Sequence, residues 1–249
     1  PIPLTTGVTI CQGTTSAALT SSSVCAQTNN LTDGPNLAGT AANSGSGTVW
    51  SNPGNVNAND NAYASVTGFG TAFSQTLVAS DFGFAIPSDA TIKGFQVSIA
   101  RFRSGGTTGE IQDNSLKLVK GGTVVGTNKG ATSTNWPTSE AVANYGTASD
   151  LWGTTWTPTD INANNFGVAL LVDNTNTFSF FGTRTANVDY IQVTITYTKP
   201  GSIDWFTVSS GGTLIGSGAS FDPVGVANSG LANTDNAGST IYYAECSTI

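Results

Sequence analysis

Hydrophobic and polar residues alternate most regularly between Asp189 and Thr198. Odd-numbered positions from 191 to 197 are apolar or aromatic, whereas positions 192, 194 and 196 are polar. This two-residue period predicts a half-buried β-strand. Lys199-Pro200-Gly201 ends the strand, because proline cannot donate to a ladder and glycine permits a sharp change of direction. A second strand of different character is predicted from Ser202 to Thr207.

The segment from Ala62 to Thr198 contains at least eight predicted strands and no helical period of useful length. The long strand at 91–102 slips in its alternation at Gly94, which predicts a bulge. Gly121-Gly122 separates two short strands and predicts a tight hairpin. One helical turn is the interpretation of residues 159–164. An antiparallel sandwich of jelly-roll type is the expected closure of these strands.

The domain organisation follows from the two ends of the chain. Residues 200–249 contain only short strands and turns, and fifty residues are few for an independent core. Residues 1–24 carry the strands that this segment lacks. We therefore predict an all-β chain in which residues 1–24 and 200–249 form one small sandwich, interrupted by a larger sandwich at 25–199.

Composition narrows the functional classes. Gly accounts for 30 of 249 residues and only 9% are charged, which is typical of a turn-rich β-protein solubilised by hydroxyls and amides. A net charge of −7 with eight basic residues argues against nucleic-acid binding. No apolar run is long enough for membrane insertion. Because the chain begins Pro1-Ile2-Pro3-Leu4 and contains no Met, it is expected to be a processed product or a piece of a longer protein.

The candidate chemical groups favour a non-enzymatic protein. Histidine is absent, which removes the commonest general base and the usual catalytic triads. Aspartates are scattered over the large domain, where capping of turns is their default role. The segment that contains Asn57, Asn59 and Asp60 offers closely spaced hard oxygen ligands, so a structural calcium ion is the one candidate cofactor. The alternative for this segment is a cluster of Asx turns.

Four aromatic residues in one irregular segment have two interpretations. On an exposed platform they would stack against sugar rings, and buried they would seal one end of a sandwich. These glycan-contact candidates are Trp136, Tyr145, Trp152 and Trp156.

The two ends of the chain resemble a known class of repeat. The residues that carry the resemblance are the Val8–Gly13 segment, Trp205-Phe206-Thr207, the glycine pairs that follow, and the Ile241–Cys246 segment. They resemble the immunoglobulin-like repeats of large surface proteins of Bacteroidota, which are exported by the type IX system and include gliding adhesins. The resemblance implies a disulfide between Cys11 and Cys246 with Trp205 nearby. Cys25 departs from the pattern, so a Cys25–Cys246 bond is the alternative.

The middle of the chain resembles a jelly-roll module of bacterial surface and phage structural proteins. The resemblance is carried by Trp50-Ser51-Asn52-Pro53, the Phe82–Pro87 segment, Leu151-Trp152-Gly153 and the Val188–Ile191 segment. No enzymatic motif belongs to that module, so the resemblance implies a structural or binding role.

These observations predict a secreted, non-enzymatic cell-surface protein of adhesin or filament type. The expected partners are neighbouring copies or tandem repeats of the chain, joined end to end or by donation of an edge strand, and surface glycans. Two alternatives remain open at this point. A carbohydrate-binding module would present an exposed aromatic row, and a phage fibre would form closed trimers.

Overall fold

The computed structural model describes residues 8–9, 11–21, 25, 29–68, 73–106, 109–175 and 184–247. Their regular secondary structure is almost all β-strand, which confirms the all-β prediction. The strands are β1 (Leu19–Thr20), β2 (Leu31–Leu37), β3 (Thr40–Ser44), β4 (Ala64–Thr67), β5 (Thr76–Ser80), β6 (Thr91–Ser104), β7 (Ile111–Lys120), β8 (Thr123–Val125), β9 (Ala141–Thr147), β10 (Gly167–Asn174), β11 (Thr185–Thr198), β12 (Ser202–Phe206), β13 (Leu214–Ser217), β14 (Ser220–Phe221) and β15 (Tyr243–Ser247). The helices are a 3-10 turn at Pro53–Val56 and α1 at Pro158–Asn162.

Neither helix could cross a membrane, since both are far shorter than a bilayer requires.

The chain divides into two compact units. Unit 1 combines Pro1–Asn29 with Lys199–Ile249, and unit 2 is Asn30–Thr198. These boundaries lie within a few residues of those expected at 24/25 and 199/200. Each unit has its own cluster of buried apolar side chains.

Unit 2 is a sandwich of two antiparallel sheets. One sheet has the strand order β3-β5-β10-β7-β8, and the other has the order β2-β11-β6-β9, with β4 also paired to β11. Apolar side chains from both sheets meet in a single core, because alternate residues of each strand point to the same face. Residues 191, 193 and 195 of β11 are fully buried in this core, as their two-residue period predicted.

The predicted bulge is present. The pairing of β11 with β6 shifts register between Thr196 and Tyr197, which lie opposite Gly94 and Ile92. A side chain at Gly94 would collide with backbone atoms of the turn at 147–149, at distances of 2.5–2.6 Å. Glycine therefore lets this turn lie directly on β6.

Two further local predictions are confirmed. Gly121 and Gly122, with φ of 58° and 79°, form the two-residue loop between β7 and β8, where Lys120 pairs with Thr123. The helical turn is α1, which begins one residue before the expected segment. Thr157 caps it: the Thr157 hydroxyl accepts from the Asp160 backbone N–H, and the Asp160 carboxylate accepts from the Thr157 N–H.

Unit 1 is built from short strands. β12 is the centre of a three-stranded sheet with β13 and β15 at its edges, and β1 pairs with β14. Trp205 of β12 is fully buried, stacks on Phe221 with ring centroids 5.7 Å apart, and donates from Nε1 to the Gly218 carbonyl at 2.9 Å. The pairing of β1 with β14 joins the first segment of the chain to the last, and Leu19 and Cys25 pack in one apolar cluster with Trp205.

Candidate functional site

Two of the four glycan-contact candidates belong to a buried charge network. Asp113, on β7, forms an ion pair with Arg101 of β6 at 3.0 Å, and both side chains are almost fully buried. Trp136 Nε1 donates to Asp113 Oδ1 at 2.8 Å, and the Tyr145 hydroxyl donates to Oδ2 at 2.7 Å. The Ala131 backbone N–H adds a fourth donor to the carboxylate.

The aromatic rings of this network also contact the Arg101 cation. The Arg101 guanidinium lies 4.6 Å from the centroid of the Trp136 ring and 5.7 Å from that of Tyr145. Burial and the charge of Asp113 raise the pKa of the Tyr145 hydroxyl, so it remains a donor throughout the physiological range. Trp136 and Tyr145 therefore stabilise an internal ion pair rather than presenting their faces to a ligand.

The other two candidates lie in the buried core of unit 2. Trp152 has no exposed surface, and its Nε1 donates to the Phe95 carbonyl at 3.2 Å. Trp156 packs edge-on against Phe166, with centroids 5.6 Å apart, and its Nε1 donates to the Leu151 carbonyl at 3.1 Å. The prediction of an exposed aromatic platform is thus wrong for all four residues, because each indole N–H and the phenol find acceptors inside the protein.

Local sequence explains how Trp152 is directed inward. The Asp150 carboxylate accepts from the Trp152 backbone N–H at 2.8 Å, and Trp152 itself has φ of 56°. A β-carbon at Gly146 would lie 2.5 Å from Trp152 Nε1, so glycine leaves room for the indole. Burial disfavours ionisation of Asp150, but the Lys129 ammonium and the Trp152 N–H outweigh it and lower the pKa of Asp150.

The remaining ion pairs in unit 2 are also structural. Lys120 contacts Asp160 of the capping box at 2.9 Å, and Lys129 contacts Asp150 at 2.7 Å. Glu110 lies between Arg103 and Arg184, at 2.7 and 3.8 Å. All three carboxylates contact cations, and those of Asp150 and Asp160 also accept from backbone N–H groups.

The calcium candidates lie in the loop that follows the 3-10 helix. Asn57 is partly buried and donates from Nδ2 to the Gly39 carbonyl at 3.1 Å, whereas Asn59 and Asp60 are exposed. Asp60 Oδ1 accepts from the Ala62 N–H at 2.9 Å, which is the expected Asx turn. Within the described ranges, no three Asp, Glu, Cys or His side chains cluster closely enough to hold a metal by themselves.

The structure adds one residue that sequence reasoning did not place at this loop. Asp189, at the start of the regularly alternating segment, is fully buried, and its Oδ1 accepts from the backbone N–H of Asn61 at 2.9 Å. Burial raises the pKa of the Tyr190 hydroxyl, and the charges of Asp189 and Glu140 raise it further. The sequence did offer a signal, because Asp189 falls on the predicted buried side of the strand. Buried carboxylates are rare without a partner, so this position indicates a contact with another segment.

The disulfide differs from the one that the resemblance implied. Cys25 bonds Cys246 with Cα atoms 5.4 Å apart, whereas Cys11 is exposed and unbonded. The Cys11–Cys246 pairing is therefore wrong, and the alternative that includes Cys25 is confirmed. Cys25 also packs in the same buried cluster as Trp205. Its carbonyl accepts from the Gly201 N–H at 2.8 Å, so the chain leaves unit 1 and returns to it at adjacent positions.

Unit 1 contains an open groove of about 700 Å³ near its free thiol. Cys11, Leu19, Leu231 and Tyr242 are among the residues that line it. Its described lining combines apolar side chains with hydroxyls and amides and includes no charged residue.

Comparisons of the chain with protein-family models, curated proteins and solved structures give no match.

Proposed function

We propose that this chain is a non-enzymatic structural module of an extracellular surface assembly, of the adhesin or filament type. In this proposal unit 1 is the connecting element of the assembly. Unit 2, inserted into unit 1, presents its loops for contact with other molecules.

The observation that carries the proposal is the position of the disulfide. Cys25 lies just before unit 2 begins, and Cys246 lies after unit 2 ends. The two cysteines are 221 positions apart in the sequence. Tension applied outside the two cysteines passes through the S–S bond and cannot extend the residues between them. A force-bearing surface protein needs this property, and a disulfide persists in an extracellular compartment.

The side chains that catalysis or sugar binding would use are engaged in contacts within the protein. Asp113, Asp150 and Asp160 are engaged by cations and hydrogen-bond donors. The aromatic residues that a carbohydrate-binding module would expose are buried. Structural use of these groups favours a module that holds a shape over one that processes a substrate.

The three-stranded sheet of unit 1 offers a route to assembly. Its edge strands β13 and β15 each have only one neighbour among the described residues. Leu214 on β13 is 52% exposed and Tyr243 on β15 is 39% exposed. An unpaired edge with apolar side chains accepts a strand from another chain, so neighbouring copies are the partners that we propose.

Electron microscopy of surface material from producing cells, labelled with gold-conjugated antibody against the full chain, tests the proposal. We expect labelled fibres of regular spacing at near-neutral pH without added ligand. Leu214→Lys should shorten or abolish them, because a lysine on an edge strand blocks strand addition. Val208→Lys, which adds the same charge at an exposed position outside the strands, should leave them intact. Isolated monomers in the native material would overturn the proposal.

A further inference from the structure

A buried carboxylate without a counter-charge lies beneath the loop of the calcium candidates. Asp189 of β11 has no exposed surface. Its Oδ1 accepts from the N–H groups of Asn61 and Asp60, at 2.9 and 3.4 Å, but its Oδ2 has no hydrogen-bond partner. In the described part of the chain, no lysine or arginine forms an ion pair with it.

A second buried oxygen, on the adjoining loop, is also without a partner. Asn57 Oδ1 is buried and accepts no hydrogen bond, while Asn57 Nδ2 donates to the Gly39 carbonyl and so fixes the orientation of the amide. Asn57 forms an isolated antiparallel bridge with Tyr190, the neighbour of Asp189. The two segments that carry these oxygens therefore meet at one junction, which we define as residues 57–61 with residues 189–190.

The chemistry of the two oxygens restricts what can satisfy them. An ionised carboxylate and an amide oxygen are both acceptors only, so neither can satisfy the other. Leaving a carboxylate buried and unpaired is strongly unfavourable, and backbone donors to one of its oxygens offset only part of that cost. A positive charge at the junction would satisfy both oxygens at once.

We propose that this junction binds a calcium ion, with Asp189 Oδ2 and Asn57 Oδ1 as ligands and Asp60 supplying a second carboxylate. The ligands are hard oxygens with no nitrogen or sulfur among them, which suits Ca²⁺ rather than Zn²⁺. Ca²⁺ also tolerates the irregular geometry of a loop, whereas Mg²⁺ requires a near-ideal octahedron.

The site differs from the one that the loop sequence alone suggested. Asn59 is not among the proposed ligands. The anchoring group instead comes from a strand more than a hundred residues further along the chain, so ion binding would fasten the loop to the central strand β11. This inference concerns unit 2 alone and does not rest on the proposed function.

Calorimetric titration of CaCl2 into the full chain, after removal of bound ions with a chelator, tests the proposal. We expect one site with a Kd of about 10⁻⁴ to 10⁻³ M, the range of extracellular calcium modules. Saturating Ca²⁺ should raise Tm, because a ligand that binds only the folded state stabilises it, and MgCl2 at the same concentration should do so much less.

Three variants separate calcium binding from a general effect on folding. Asp60→Asn, at an exposed position, should weaken binding about tenfold, whereas Asp89→Asn removes the same charge from an exposed turn and should leave Kd unchanged. Asn57→Asp adds a ligand charge next to Asp189, so it should tighten Ca²⁺ binding and lower Tm in chelator. Asp189→Asn should abolish binding, but the first two variants decide the matter if it does not fold.

Two results would overturn the proposal. The first is the absence of Ca²⁺-dependent heat and of any Tm shift in the native chain. The second is binding that Asp60→Asn and Asn57→Asp leave unchanged, which would place the ion elsewhere.

Discussion

At the scale of single residues, the aromatic side chains show how strongly polar atoms constrain a core. Each of Trp136, Trp152 and Trp156 has an indole N–H that must find an acceptor when buried, and each finds one inside unit 2. The Tyr145 hydroxyl donates to the same carboxylate as Trp136 does. The Asp113 carboxylate thus accepts hydrogen bonds from several separate segments of the chain. The positions of these polar atoms, and not hydrophobicity alone, specify how the rings are oriented.

Replacement of Trp152 by Ala should destabilise unit 2 rather than remove a ligand contact. We expect a loss of about 3–5 kcal/mol in the free energy of unfolding, because a fully buried indole leaves a cavity and an unsatisfied Phe95 carbonyl. Urea denaturation measures the loss. Val124→Ala, at a side chain that is 48% exposed, is the control and should stay within about 0.5 kcal/mol of the native chain. A folded Trp152→Ala protein of native stability would contradict the buried role.

At the scale of elements, short sequence signals set the strands and turns of unit 2, while glycine decides where the backbone segments approach each other. Gly94 lies at the β6 bulge and under the 147–149 turn, and Gly121-Gly122 closes the β7–β8 hairpin with positive φ at both positions. The two uses differ, because the hairpin needs conformational freedom and the bulge needs empty space.

The space requirement can be measured by comparing two Gly→Ala variants. Gly94→Ala would place a methyl group 2.5 Å from the Thr147 carbonyl oxygen, so we expect a loss of about 1–3 kcal/mol in unfolding free energy. Gly54→Ala meets no atom within 4 Å and should not destabilise the chain. Thermal unfolding of the two proteins checks this pair. Equal stability of the two variants would show that the turn yields to the added methyl group.

At the scale of the whole molecule, connectivity matters more than any single contact. Unit 1 is assembled from the two ends of the chain, and the Cys25–Cys246 bond joins them beside the point where the chain leaves for unit 2. The covalent bond therefore makes one closed loop of everything between the cysteines, whatever the stability of the units inside it.

Single-molecule stretching of the chain from handles outside the cysteines should show this closure directly. The oxidised chain should release no length from residues 26–245. Reductant, or Cys25→Ser, should add roughly 750 Å of contour length, since the two cysteines are separated by 221 positions and each step extends about 3.4 Å. Cys11→Ser leaves the bond intact and should behave like the native chain. Full release from the oxidised chain would show that the bond does not carry the load.

The sequence by itself determined the features that depend on near neighbours. The alternation at 191–197, the bulge at Gly94, the hairpin at Gly121-Gly122 and the helical turn after Thr157 all follow from local period and turn chemistry, so they could be predicted. The second division between the units falls at Thr198/Lys199, beside Lys199-Pro200-Gly201, which interrupts the strand pattern.

Only the tertiary structure decided the features that depend on distant segments. Which cysteine meets Cys246 depends on how the first residues pack, and Cys25 is the one whose Cα lies 5.4 Å away. Whether Trp136 faces a ligand or Asp113 depends on strands that are far apart in sequence but adjacent in the sheets. The junction of Asn57 with Asp189 has the same origin, because a strand period shows which face a residue occupies but not which loop covers it.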